Sequence, residues 1–181
     1  MNLGYLSILL AFAHLYAAAC SHSPNYDADP QETEALHYAL VSLSDNVKEK
    51  EAEALSTLLI SSTLELANEY RMASPPRYHN LLVHLSIRGR GLCCHWAEDL
   101  RLRINKFSPQ TLNVDWLVTK HSDLLEHNSI VIFAADTTWK QGIVYDPWRA
   151  SGQPYWVLVE EDKFIWMQHP LSGDWEQLHC K

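Results

Sequence analysis

The hydrophobic residues of this chain change their spacing once, just after Ser108-Pro109, and that change constrains the fold more than any other feature. Between Gln31 and Met72 there is no Gly or Pro, and Leu36, Leu40, Leu43, Val47, Leu55, Leu58, Leu59 and Leu66 fall at mostly helical spacing. Asp29-Pro30-Gln31-Glu32 is a good start for such a segment: Asp29 can cap, Pro30 fits the first helical position and Glu32 can complete a capping box. The stretch reads as one helix or two, with Ser44-Asp45-Asn46 as the break. Lys48-Glu49-Lys50-Glu51 reads as a solvated face. Ala73-Ser74-Pro75-Pro76 ends the helical part, and His79 to Ile87 reads as a further helix. Beyond Pro109 the pattern is that of strands. Val114, Trp116 and Val118 alternate, Ser129–Phe133 and Gly142–Tyr145 are β-branched runs, and Tyr155–Val159 and Phe164–Trp166 are two shorter candidates. All seven tryptophans lie after residue 95. Helices first and an antiparallel sheet second is the α+β pattern.

A length of 181 residues suits one domain with a real core, with 47% hydrophobic and 20% charged residues. We read residues 30–181 as that domain, with 30–72 its helical part and 92–170 its chemical core. The net charge of −8, with no long Lys/Arg cluster, argues against nucleic acid as a partner.

The first nineteen residues carry no charged side chain. Leu6 to Ala19 is mostly apolar and ends in Tyr16-Ala17-Ala18-Ala19-Cys20, so residues 1–19 read as a secretory signal peptide. The cysteine directly after the alanines resembles the lipobox of bacterial lipoproteins. That resemblance implies cleavage before Cys20, a lipid on Cys20 and a polar tether over residues 20–29. Ser21, which is not Asp, then implies sorting to the outer membrane. Two alternatives stay open: Ala17-x-Ala19 also suits ordinary signal peptidase, and an uncleaved apolar anchor would be short for a bilayer.

The chemistry concentrates in Arg88-Gly89-Arg90-Gly91-Leu92-Cys93-Cys94-His95-Trp96. A glycine-bearing basic turn runs into an amphipathic helix, with Trp96, Leu100 and Ile104 on one face. Cys93 stands where that helix begins. Free N–H groups and the positive end of the helix dipole stabilise a thiolate there. Cys94, about 100° round the helix, cannot face the same way and reads as core filler. A Cys94–Cys180 bridge remains open. Of the ten histidines, His127 directly precedes the Ser129–Phe133 run, so a sheet would hold its ring as a general base requires. His95 lies about 200° from Cys93 on the helix, His121 sits in a polar loop, and His79 lies in the segment before the turn. Asp146 ends Gly142–Tyr145, and Pro147 biases it to extended geometry. In a strand pair its carboxylate can fix the histidine's tautomer. Zinc is the other sharp reading, through Cys93, Cys94, His95 and His127, but consecutive Cys-Cys-His is poor chelating spacing. No metal and no cofactor are expected.

The order Cys93, then His127 34 residues on, then Asp146 a further 19 on, is similar to the transglutaminase-like branch of the papain-like cysteine superfamily. More closely, Pro76-Arg77-Tyr78-His79-Asn80, Arg90-Gly91-Leu92-Cys93-Cys94-His95-Trp96, Glu126-His127-Asn128 and Gly142-Ile143-Val144-Tyr145-Asp146-Pro147-Trp148-Arg149 resemble a group of uncharacterised bacterial lipoproteins, from about residue 70 to residue 166. The resemblance implies a nucleophile helix packed on an antiparallel sheet, with Cys93 as nucleophile, His127 as base and Asp146 as its orienter. An envelope lipoprotein with a Cys-His-Asp acyl-transfer site on amides or esters is therefore expected, acting on a peptide-like or cell-wall substrate. The backbone N–H of Cys93 is one oxyanion donor. Tyr78, His79, Asn80 and Trp148 are candidates for the substrate groove, the first three also for a second donor. The competing class is a non-catalytic envelope binder that keeps the fold.

Overall fold

The computed structural model describes residues 28–119, 126–170 and 180. The signal peptide, Cys20, most of the tether and His121 lie outside the described residues.

Helix α1 spans Pro30–Val41. Asp29 caps it, its carboxylate accepting the Gln31 N–H at 2.9 Å, and Pro30 stands at the first position. The break comes where expected, and it is held by tertiary bonds. Ser44 Oγ and Asn46 Nδ2 both donate to Asp136 Oδ2, at 2.8 and 2.7 Å. Helix α2 then runs Glu49–Glu69. Here the reading of Lys48–Glu51 as a solvated face holds for Lys48, Glu49 and Lys50, which are exposed, and needs correcting at Glu51. Glu51 Oε1 accepts the backbone N–H groups of Gln110, Thr111 and Leu112 at 2.8–3.0 Å, so it ties the first turn of α2 to the chain entering the sheet. Helix α3 spans Pro76–His84, starting and stopping three residues before the expected segment because Pro76 takes the first turn. Helix α4 spans Cys93–Phe107 and stops at Ser108, which is left-handed (φ 56°).

Among the described residues five strands follow: β1 Leu112–Val118, β2 Asn128–Ala134, β3 Ile143–Tyr145, β4 Trp156–Leu158 and β5 Met167–Gln168. They form one antiparallel sheet in the order β4-β3-β2-β1-β5. The α+β expectation holds at this level. The last strand falls after Phe164–Trp166 rather than on it. Asp162 accounts for the shift, since its carboxylate accepts the Phe164 N–H (3.2 Å) and the Trp166 indole N–H (2.9 Å). That curls the segment away from the ladder.

Alternation divides the sheet's two faces. Ile130, Ile132 and Ala134 of β2, with Trp116 and Tyr145, join Leu55, Leu59, Trp96, Leu100 and Ile104 in the main core under the helices. Leu117, Val131, Val144 and Trp166 form a smaller cluster on the other face, with Phe133, Trp139 and Phe164 against it. Among the described residues no helix is long and apolar enough to cross a membrane.

Candidate active site

The turn before α4 is built around an imidazole. Gly91 has φ +118°, and a Cβ there would lie 2.1 Å from His79 Nε2, so only glycine fits. His79 is fully buried. Its Nδ1 accepts the Ala73 N–H at 3.1 Å, leaving Nε2–H to donate to the Arg90 carbonyl at 2.9 Å. Burial pushes its pKa below that of a free imidazole. The expectation that His79 lines a substrate groove is thereby corrected: it is an internal brace that pins the start of α3 to the turn. Arg90 turns back onto α4, with Glu98 at 2.7 Å and Asp99 at 3.0 Å. The charge of Arg90 is neutralised locally. His95 Nδ1 accepts the N–H groups of Gly91 and Leu92, at 3.2 and 3.1 Å, so this ring caps the helix.

Cys93 occupies the first position of α4. It is a free, buried thiol. Its backbone N–H belongs to the first turn, which has no intrahelical acceptor. Cys94, the next residue, is joined to Cys180, with Cα atoms 5.3 Å apart. The expectation of core filler is thus replaced by a covalent tie to the chain's end. The rotation of one helical position sends the two thiols to different fates. The zinc reading loses the Cys94 sulfur to the bridge and His95 Nδ1 to the cap. Among the described residues, no group of three or more His, Cys, Asp or Glu could hold a metal ion.

His127 stands just before β2 and Asp146 just after β3. The pairing of Ile130 with Tyr145 brings the two ends together. His127 Nε2 lies 2.6 Å from Asp146 Oδ2, both side chains being buried. The other ring nitrogen, Nδ1, has no hydrogen-bond partner and is buried. Burial alone would push this imidazole's pKa down. The bond to Asp146 and the neighbouring Cys93 side chain outweigh burial and raise it to about 9. Cys93, His127 and Asp146 therefore form one electrostatic unit centred on the imidazole.

The unit extends further than the sequence reading placed it. Arg149 Nε donates to the same Asp146 Oδ2 at 3.1 Å, and its Nη atoms hold Asp162 in a two-pronged pair at 2.9 Å each. Burial works against Asp162, yet its bonds to Arg149 and Trp166 keep its carboxyl below the ordinary carboxylate range. The rings of Trp148, Phe164 and Trp166 stand 4.7, 5.3 and 5.6 Å from that of His127 and shield it from water. Trp148 Nε1 donates to Asn80 Oδ1 at 3.0 Å. Of the expected groove residues, Trp148 therefore stands beside the histidine and Asn80 anchors its indole, while Tyr78 is half-buried on α3. The sequence could have pointed to Arg149, three residues after Asp146 in a Pro-initiated turn. Asp162, Phe164 and Trp166 carry no local signal.

A last neighbour is Asn128, 6% exposed. Its Oδ1 accepts the Trp116 indole N–H at 2.7 Å, and its Nδ2 lies 3.0 Å from Glu126 Oε1 and 4.0 Å from Cys93 Sγ.

The chain matches no protein-family model, no curated protein and no solved structure among those with which it was compared.

Proposed function

We propose that this protein is a thiol acyl-transfer enzyme of the papain-like, transglutaminase-like type, held at the outer membrane by a lipid on Cys20 and facing the periplasm. The observation that carries the reading is the 2.6 Å bond from His127 Nε2 to Asp146, which leaves the buried Nδ1 without a partner in a ring that has Cys93 as a neighbour. The thiol proton passes to Nδ1, and the thiolate adds to the carbonyl carbon of a peptide-like or cell-wall amide or ester. The Cys93 N–H steadies the oxyanion from the helix start. The imidazolium then protonates the leaving amine or alcohol, and the acyl-enzyme forms. Water or an amine, deprotonated by the neutral imidazole, takes the acyl group and restores the thiol. Asp146 fixes the tautomer and stabilises the charged ring.

The test is labelling by a thiol-reactive electrophile at neutral pH, paired with a hydrolysis screen of the lipid-free domain on peptides and cell-wall fragments. Cys93→Ala should abolish labelling and turnover with the fold retained, and Asp146→Asn should depress both steeply. Slow labelling of the native chain, no faster than an ordinary thiol, would sink the enzyme reading. One observation favours the second reading, a binder that keeps the fold: Cys93 is 9% and His127 6% exposed, and a substrate has to reach the sulfur.

A further inference from the structure

We propose that the side-chain amide of Asn128 is a catalytic hydrogen-bond donor to the Cys93 sulfur, holding the thiolate in line for attack. The inference rests on the reading of Cys93 as nucleophile.

The amide's orientation is fixed by its partners. An indole N–H can only donate, so the 2.7 Å contact with Trp116 Nε1 identifies Oδ1 as the acceptor. The other end is therefore the NH₂. Its two hydrogens face two acceptors, Glu126 Oε1 at 3.0 Å and Cys93 Sγ at 4.0 Å. The second contact stands at the outer limit of a hydrogen bond to sulfur, and a negative charge on the sulfur would shorten and strengthen it. Trp116 is 2% exposed, so the anchor is itself fixed. Asn128 pairs with Val118 at the first step of the β1–β2 ladder, and its even-numbered strand position faces α4. His127, one residue earlier, comes from the strand's end with Asp146 behind it. Consecutive residues thus offer the sulfur a cation and a neutral donor from different sides. Among the described residues, the titratable groups linked to this unit are His127 with Asp146 beyond it, and Glu126 on the amide. When the thiol proton moves to His127 Nδ1, the amide N–H takes up part of the charge left on sulfur.

The test needs no substrate. Alkylation of Cys93 by iodoacetamide, a neutral probe, is followed from pH 5 to 9 on the whole chain with its disulfide intact, and Cys93→Ala serves as the blank. The native chain should react at pH 6 far faster than a free cysteine, and its profile supplies the reference inflection. Asn128→Ala should move the inflection up and slow alkylation at pH 6 about tenfold, the size of one charge-assisted hydrogen bond. Asn128→Asp, nearly isosteric, should move it further still, because a carboxylate beside the sulfur repels the thiolate. Trp116→Phe keeps the amide but frees it to turn, and should fall between native and Asn128→Ala. A merely structural role predicts the opposite order, with Asp closer to native than Ala. That order, or three unchanged profiles on a reactive native chain, overturns the assignment and leaves the enzyme reading standing. Native alkylation no faster than that of a free cysteine overturns the enzyme reading first.

Discussion

The two faces of the sheet are built on different principles. Under the helices, packing is aliphatic and deep: Leu55, Leu59, Leu100, Ile104, Ile130 and Ile132 meet with almost no polar atom among them. On the opposite face the apolar cluster is small, and much of the order comes from charge. His127, Asp146, Arg149 and Asp162 alternate in sign along one line, with aromatic rings walling it in. The first face can absorb error, because dispersion is shared over many contacts. The second cannot, because each charge depends on the next. The thick core sets the positions of the strand ends, and the thin face spends that rigidity on one imidazole.

Removing packing from the thick face should have the largest effect. Leu100→Ala should cost about 3–4 kcal/mol by cavity formation, read as a drop in the urea midpoint with the slope unchanged. If the comparison is right, the alkylation rate of Cys93 in the surviving folded fraction should change little.

A change of pH should act almost wholly on the thin face. The pKa of His127 is raised from 6.5 to about 9, so the folded chain binds this proton more tightly than the unfolded one. The stabilisation is complete below about pH 6.5 and is lost as pH rises toward 9, with roughly 3 kcal/mol as its ceiling. Urea midpoints measured across that window should fall for the native chain. His127→Gln should flatten this part of the profile, and an unchanged slope in that variant would place the titration elsewhere.

The smallest effect should come from the far end of the charge line. Asp162→Asn keeps shape but leaves Arg149 with one carboxylate instead of two. Stability should fall by about 1–2 kcal/mol. The informative readout is the inflection of Cys93 alkylation, which should move because Arg149 is free to draw harder on Asp146 and weaken its hold on the imidazole. Equal loss of stability with an unmoved inflection would reduce Asp162 to a purely structural partner.

The same contrast marks what was legible in the sequence. The thick face was open to reading because periodicity is local: the leucine spacing of α1 and α2, the Trp96-Leu100-Ile104 stripe and the alternation in β1 each need only a few neighbours. Cys93, His127 and Asp146 were legible for the same reason, each standing at the end of an element that local pattern defines. Asp162 was not, because its partners Arg149 and Trp166 matter only once β3 and β4 have paired. Glu51 was misread as solvated for a related reason. Its charge pattern looks like a surface face, and its three backbone partners lie about sixty residues downstream. His79 was misplaced because nothing in Tyr78-His79-Asn80 tells an inward ring from an outward one. Only the fit against Gly91 decides it.

The sorting of the two adjacent cysteines has a consequence for oxidants. A sulfenic acid formed on a reactive cysteine is commonly rescued by a second thiol nearby, which condenses with it. Cys94 cannot serve, since its sulfur is already joined to Cys180. Among the described residues Cys93 is the free thiol. Its recovery from oxidation therefore depends on a thiol supplied from outside the described fold, and how long it stays oxidised is set by how readily that reductant enters a site built to keep water out.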